Sequence, residues 1–165
     1  MPDASLATLF HDGLRDILYA ERKALQALKK QARAVTSPDL RQAFETHRDE
    51  TEGQVQRLQQ VFELIGKRPT GKTCAAMDGL SEEGAEIMEE YKGTPALDAG
   101  LLAAAQAIEH YEIARYGTLA AWADQLGMTE AAGLLRETLA EEERTDELLS
   151  GLAEATINAA AEQPA

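Results

Sequence analysis

The residues best equipped for chemistry are carboxylates and one histidine that interrupt otherwise apolar helical stripes. Leu6, Phe10, Leu14, Ile17, Glu21, Leu25, Leu28, Ala32 and Val35 recur every three or four residues, so they share one helix face with Glu21 in its middle. A second stripe runs Leu40, Phe44, His47, Thr51, Gln54, Leu58, Phe62 and Ile65, with Glu50 beside His47. The third reads Leu102, Ala105, Glu109, Glu112, Tyr116, Leu119, Ala123 and Leu126, and the fourth Ala131, Leu135, Leu139, Glu142, Asp146, Leu149 and Leu152. An isolated carboxylate in a helical core is costly to ionise, and several together are worse. A pair of divalent metal ions removes that cost, because hard oxygen donors suit iron or manganese and the cations offset the charge. The blander alternative places each glutamate at a stripe edge, in water or paired with arginine.

The interruptions fall at one height. Glu21 lies 16 residues before the turn at Ser37 and Glu50 lies 13 after it; Glu112 lies 16 before Met128 and Glu142 lies 14 after it. At about 1.5 Å of rise per residue these offsets differ by only a few ångströms. The two hairpins repeat each other as a quasi-twofold site. Four carboxylates at one height on four helices favour a metal centre over chance edge positions. The candidate ligands are Glu21, His47, Glu50, Glu109, Glu112, Glu142 and Asp146. Glu50 and Glu142 are expected to bridge, with Gln54 and Tyr111 behind them. His47 could equally be a core group bonded to a glutamate.

The elements that position these residues are punctuated plainly. Ser5 caps a helix over about 5–36, and Ser37-Pro38 starts a second over 38–65 that closes at Gly66. A crossover helix over about 74–91 follows a loop rich in Lys, Pro and Gly. Gly93-Thr94-Pro95 precedes a helix over 95–126, Gly127 ends it, and Thr129 caps the last over 129–158. Short links make the helices of each pair antiparallel, and nearly thirty residues between the pairs allow one long crossover. The expected fold is therefore an all-α, ferritin-like four-helix bundle with a short fifth helix, a single domain over 1–165.

Composition agrees. Apolar residues make up 44%, aromatics only 5%, and Ala, Leu, Glu, Gln and Arg are strong helix formers. A net charge of −13 disfavours nucleic acid and anionic membranes. The single cysteine, Cys74, excludes an intrachain disulfide and a four-cysteine iron site, and no export or membrane segment is evident; a cytoplasmic chain is expected. Met77 and Met88 are expected to pack the crossover helix and Cys74, which opens it, to be buried as a small apolar residue, while Tyr111, His110 and Trp122 are read as packing or surface residues. Glu141 and Glu143 are read as solvated.

Phe44-Glu45-Thr46-His47, Glu50-Thr51-Glu52-Gly53-Gln54-Val55, Cys74 to Leu80, Ala104 to Ala114, Tyr19-Ala20-Glu21, and Glu141-Glu142 with Thr145-Asp146 together span nearly the whole chain. In these the sequence resembles the YciE/YciF family of bacterial ferritin-like stress proteins. The resemblance implies a ferritin-like fold, a dinuclear metal centre of two iron ions with manganese as the alternative, a homodimer and a link to osmotic or oxidative stress. A second apolar stripe on the first helix, Leu9, Leu18 and Ala27, is consistent with a dimer contact. The wider di-iron pattern sets His three residues after Glu; here Gly53 and Thr145 hold those places. The expected function is metal binding with reaction toward peroxide or oxygen, fed by an external electron donor. The alternatives are iron sequestration without turnover and a metal-free bundle that serves as an interaction scaffold.

Overall fold

The computed structural model describes residues 3–163. It contains α1 (Leu6–Ala34), α2 (Pro38–Leu64), α3 (Ala75–Glu90), α4 (Leu97–Gln125) and α5 (Thr129–Leu152), with no strand among the described residues. A π-helical turn, Ala153–Ile157, carries α5 into a last helical turn, Asn158–Ala161. The helices α1, α2, α5 and α4 form a ring in which each packs on two others, and α3 lies across α1 and α4. This is the ferritin-like arrangement, two antiparallel hairpins joined by a crossover.

Local chemistry sets the ends. The Ser5 and Ser37 hydroxyls accept from the backbone N–H of Thr8 and Leu40, and Pro38 occupies the first position of α2. Helices α2 and α4 both close on a glycine in the left-handed region, Gly66 at φ 67° and Gly127 at φ 73°. There Lys67 N–H donates to the Phe62 carbonyl and Met128 N–H to the Ala123 carbonyl, the same C-terminal motif on both hairpins. The expected cap Thr129 is instead the first residue of α5; Met128 holds the cap position with no side-chain bond. Similarly α4 begins at Leu97 behind Ala96 rather than at Pro95.

Asp98, buried in the first turn of α4, accepts from Thr36 N–H, the Thr36 hydroxyl and Ser37 N–H at 2.7–2.8 Å, which ties the first hairpin's turn to the second hairpin. Contact with α1, α3 and α5 leaves α4 buried on several faces, including Leu101, Leu102, Ala104 and Ile108. A Cβ at Gly100 would come 2.7 Å from Ile87, so glycine there permits the close seat of α3.

Two apolar clusters fill the bundle. One is built around Phe10, Leu14, Ile17, Leu58, Phe62 and Leu119, the other around Leu28, Leu40, Phe44, Leu101, Leu102 and Leu149. Leu18, expected off the core face, is fully buried in the first cluster with Cys74 and Met77, while Leu9 is half exposed. On α2 and α5 the positions between the clusters hold polar residues, His47, Thr51, Gln54, Thr138, Glu142 and Thr145, whereas on α1 and α4 Glu21, Glu109 and Glu112 sit among residues of the first cluster. No described helix is long and apolar enough to cross a membrane.

Candidate metal centre

Two helical turns of α4 present Glu109 and Glu112 inward, since a three-residue step returns nearly to the same face. His47 on α2 and Glu142 on α5 meet them. Each of the four offers a donor atom, and these atoms lie within 4.8 Å of one another. All four residues are at most 3% exposed, and Glu21 on α1 is fully buried beside them. His47 Nε2 lies 2.7 Å from Glu109 Oε1 and 3.8 Å from Glu142 Oε2. The Tyr116 hydroxyl, one turn beyond Glu112, donates to Glu21 Oε1.

Ionised, the remaining oxygens have no donor to accept from; once protonated, Glu21 and Glu112, Glu112 and Glu142, and Glu142 and Glu109 lie within hydrogen-bonding reach of one another. Glu21 Oε2, Glu109 Oε2 and both oxygens of Glu112 and of Glu142 are buried without a hydrogen-bond partner. Buried polar atoms in native proteins are overwhelmingly bonded, so six orphans in one layer demand a proton or a cation. Burial lifts the Glu21 carboxyl to about 7 against the Tyr116 hydrogen bond and the His47 charge. Burial, then the charges of Glu21, Glu142 and Glu109, push Glu112 well above the usual carboxylate range. Burial and Glu109 do the same to Glu142. Burial opposes the His47 charge, but Glu109, Glu50 and Glu142 outweigh it and raise the imidazole well above its ordinary value. A compact set of anionic oxygens with one imidazole suits a hard or borderline divalent ion.

Of the sequence candidates, Glu21, His47, Glu109, Glu112 and Glu142 are thus brought into one layer. Glu50 and Asp146 are not. Glu50 is 37% exposed at the bundle surface, 3.7 Å from His47 Nδ1, and the Thr145 hydroxyl donates to it at 3.4 Å. The neighbouring His47 imidazole holds the Glu50 carboxyl below the usual range. Asp146 turns toward α4, accepting from Gln106 Nε2 at 3.2 Å and lying 3.0 Å from His110 Nε2. Tyr111 does not stand behind the site: its hydroxyl donates to Asp16 at 2.6 Å and lies 3.0 Å from Cys74 Sγ. Tyr116, one turn from Glu112 within the same stripe, was the residue to single out instead. Glu141 is also not simply solvated. It accepts from both Arg57 terminal nitrogens, at 2.8 and 3.1 Å, and from Gln54 Nε2 at 3.1 Å.

Known proteins carry the same frame. Protein YciF of Escherichia coli strain K12 is 47% identical over 153 residues, 92% of each chain. The crystal structure of the E. coli stress protein YciF superposes with a TM-score of 0.89 at 45% identity, covering 94% of this chain and 98% of that one. YcfI of Rhodopseudomonas palustris, described as a candidate structural protein, gives 0.87 at 42% identity over 91% and 97%. A protein from Xanthomonas campestris gives 0.74 at 25% identity over 95% and 96%. The model of the domain of unknown function DUF892 matches residues 5–162, and the chain, YciF-like along nearly its whole length, belongs to that family.

Proposed function

We propose that the protein is a stress-response protein that binds two divalent metal ions, iron with manganese as the alternative, in the buried layer, and reacts there with peroxide or oxygen. The observation that carries this reading is the set of six partnerless oxygens on Glu21, Glu109, Glu112 and Glu142. These four residues and His47 would hold the ions. A bound pair of such ions supplies one-electron steps to peroxide or oxygen that no side chain here provides. The chain's own contribution is placement. Tyr116 fixes one oxygen of Glu21, His47 meets Glu109, and apolar clusters on both sides limit water. The stress role is drawn from the description of the E. coli relative. With Cys74 the only cysteine, electrons for turnover come from an external donor.

A second reading has its own support. The raised carboxyl groups and the His47–Glu109 contact allow protons alone to neutralise the layer, which gives a metal-free bundle suited to a scaffold. Elemental analysis of protein purified without chelator, paired with a peroxide-consumption assay, separates the cases. Two ions per chain with turnover supports the proposal, ions without turnover supports sequestration, and no ions supports the scaffold.

A further inference from the structure

The buried layer is not sealed equally on all sides. Between α2 and α5 a notch of about 80 Å³ is bounded by Thr46, His47, Glu50, Arg144, Thr145 and Leu148. At the volume water occupies, it admits a few water-sized molecules. The His47 ring is its inner wall. Nδ1 faces outward, 3.4 Å from the Thr145 hydroxyl and 3.7 Å from Glu50, while Nε2 faces inward to Glu109 at 2.7 Å. One imidazole therefore separates the notch from the carboxylates.

We propose that cations reach the buried layer through this notch and that Glu50 is the loading residue. It takes a divalent ion at the mouth and passes it to Glu109 and Glu142 as the His47 ring turns aside. The proposal rests on the metal-binding reading above. Its physical basis is the cost of stripping a divalent ion of water in one step. Glu50 is the anion that lines the notch, it is 37% exposed, and it already touches the inner wall. It can replace part of the hydration shell before the rest is shed. Arg144 lies at the same mouth and repels free cations, so without Glu50 the entrance would carry net positive charge. Turning His47 aside breaks its contact with Glu109 and releases Glu109 Oε1 for the arriving ion. Glu50 thus acts on the path, and the inner residues do the holding.

The test is stopped-flow loading of the metal-free protein with cobalt(II) alone, its absorption bands reporting arrival among protein ligands, with final cobalt per chain measured separately. Two variants are compared with the natural sequence. Glu50→Gln removes the anion and keeps the shape; Thr46→Trp covers the notch from an exposed position and leaves every donor in place. Both are expected to load more slowly, Glu50→Gln by about tenfold, the scale on which charge-lined clefts alter association rates, and both to reach the unchanged final count. Wild-type rates in both variants would overturn the proposal, as would a wild-type rate in Glu50→Gln with slowing only in Thr46→Trp. A reduced final count in Glu50→Gln would make Glu50 a holding ligand and overturn its loading role. Absence of cobalt uptake by the natural sequence would bring down the metal reading itself, and this proposal with it.

Discussion

Glu141 and Glu142 sit one residue apart on α5, yet the protein treats them oppositely. Glu141 points to the α2–α5 seam, where Arg57 grips it through both terminal nitrogens, Gln54 adds a third bond, and Arg57 is steadied by Thr138 and Glu137. Glu142, turned about 100° around the same helix, is fully buried and neither of its oxygens has a partner. Arg57 lies close enough to serve the first and does nothing for the second. The fold satisfies a carboxylate where it is structural and leaves its neighbour's charge to something not encoded in the chain, either protons or metal ions. A seam whose charged groups are matched is built for stability, even though Gln54 Oε1 there has no partner. A region of orphaned acceptors is built to be filled.

That contrast yields graded expectations. The largest concerns Glu112, the carboxylate with both oxygens free on α4. Replacing it by Met, of similar length, should abolish cation binding measured by titration calorimetry. The same substitution should leave the cation-free protein as stable or more stable, since it replaces a buried carboxyl group that must be held protonated beside other carboxyl groups with an apolar side chain. Loss of stability in the metal-free variant would show that Glu112 is satisfied structurally, and the contrast would break.

Next is the pH dependence. Glu21 keeps its proton to about 7 when folded against 4.5 when free, so over that interval the folded state binds more protons than the unfolded one. Its stability contribution is complete below the unfolded value and is lost as pH rises through about 7. His47, raised well above 6.5, acts in the same sense: its contribution is complete below 6.5 and is lost as pH passes its higher folded value. Cation-free protein should therefore melt at falling temperatures between about pH 5 and 8, while metal-loaded protein should not, because ions replace the protons. Coincident melting curves with and without metal at every pH would remove the coupled layer.

Glu141→Ala should behave in the opposite way to Glu112→Met. It takes from Arg57 two of its bonds, leaving it Thr138 and Glu137, and strands the Gln54 amide N–H; it should cost about 1–3 kcal/mol in urea unfolding, with cation binding retained. The smallest effect belongs to Tyr116→Phe, which removes the hydroxyl bonded to Glu21 and should cost about 1 kcal/mol by the same measurement.

Much of this was legible in the sequence because two of its signals are strong. Helix ends carry side-chain chemistry, so Ser5, Ser37, Gly66 and Gly127 marked boundaries that the structure keeps within a few residues. Counting from the turns gave axial height correctly for Glu21, Glu112 and Glu142. What counting does not give is azimuth. A stripe built from steps of three and four tolerates about 40–60° of drift per turn, and that is the difference between core and surface. Glu50, three residues after inward-facing His47, falls off one side of the stripe and meets Thr145 at the rim. Asp146, four after Glu142, falls off the other and bonds Gln106. The starts of α4 and α5 were less exact for a different reason: Ala96 and Met128 hold the cap positions without side-chain bonds, so no residue type announces them. The Arg57–Glu141 grip was hidden because it joins helices 84 positions apart in sequence.

The most direct test of the central claim sets the two neighbouring glutamates against each other. Protein with Glu141→Ala and protein with Glu142→Ala would be prepared without chelator, and the metal in each, and in the natural sequence, counted per chain by elemental analysis. The account predicts two ions in the natural protein, two in Glu141→Ala and none in Glu142→Ala. Equal metal content in the two variants, or none in the natural protein, would contradict it.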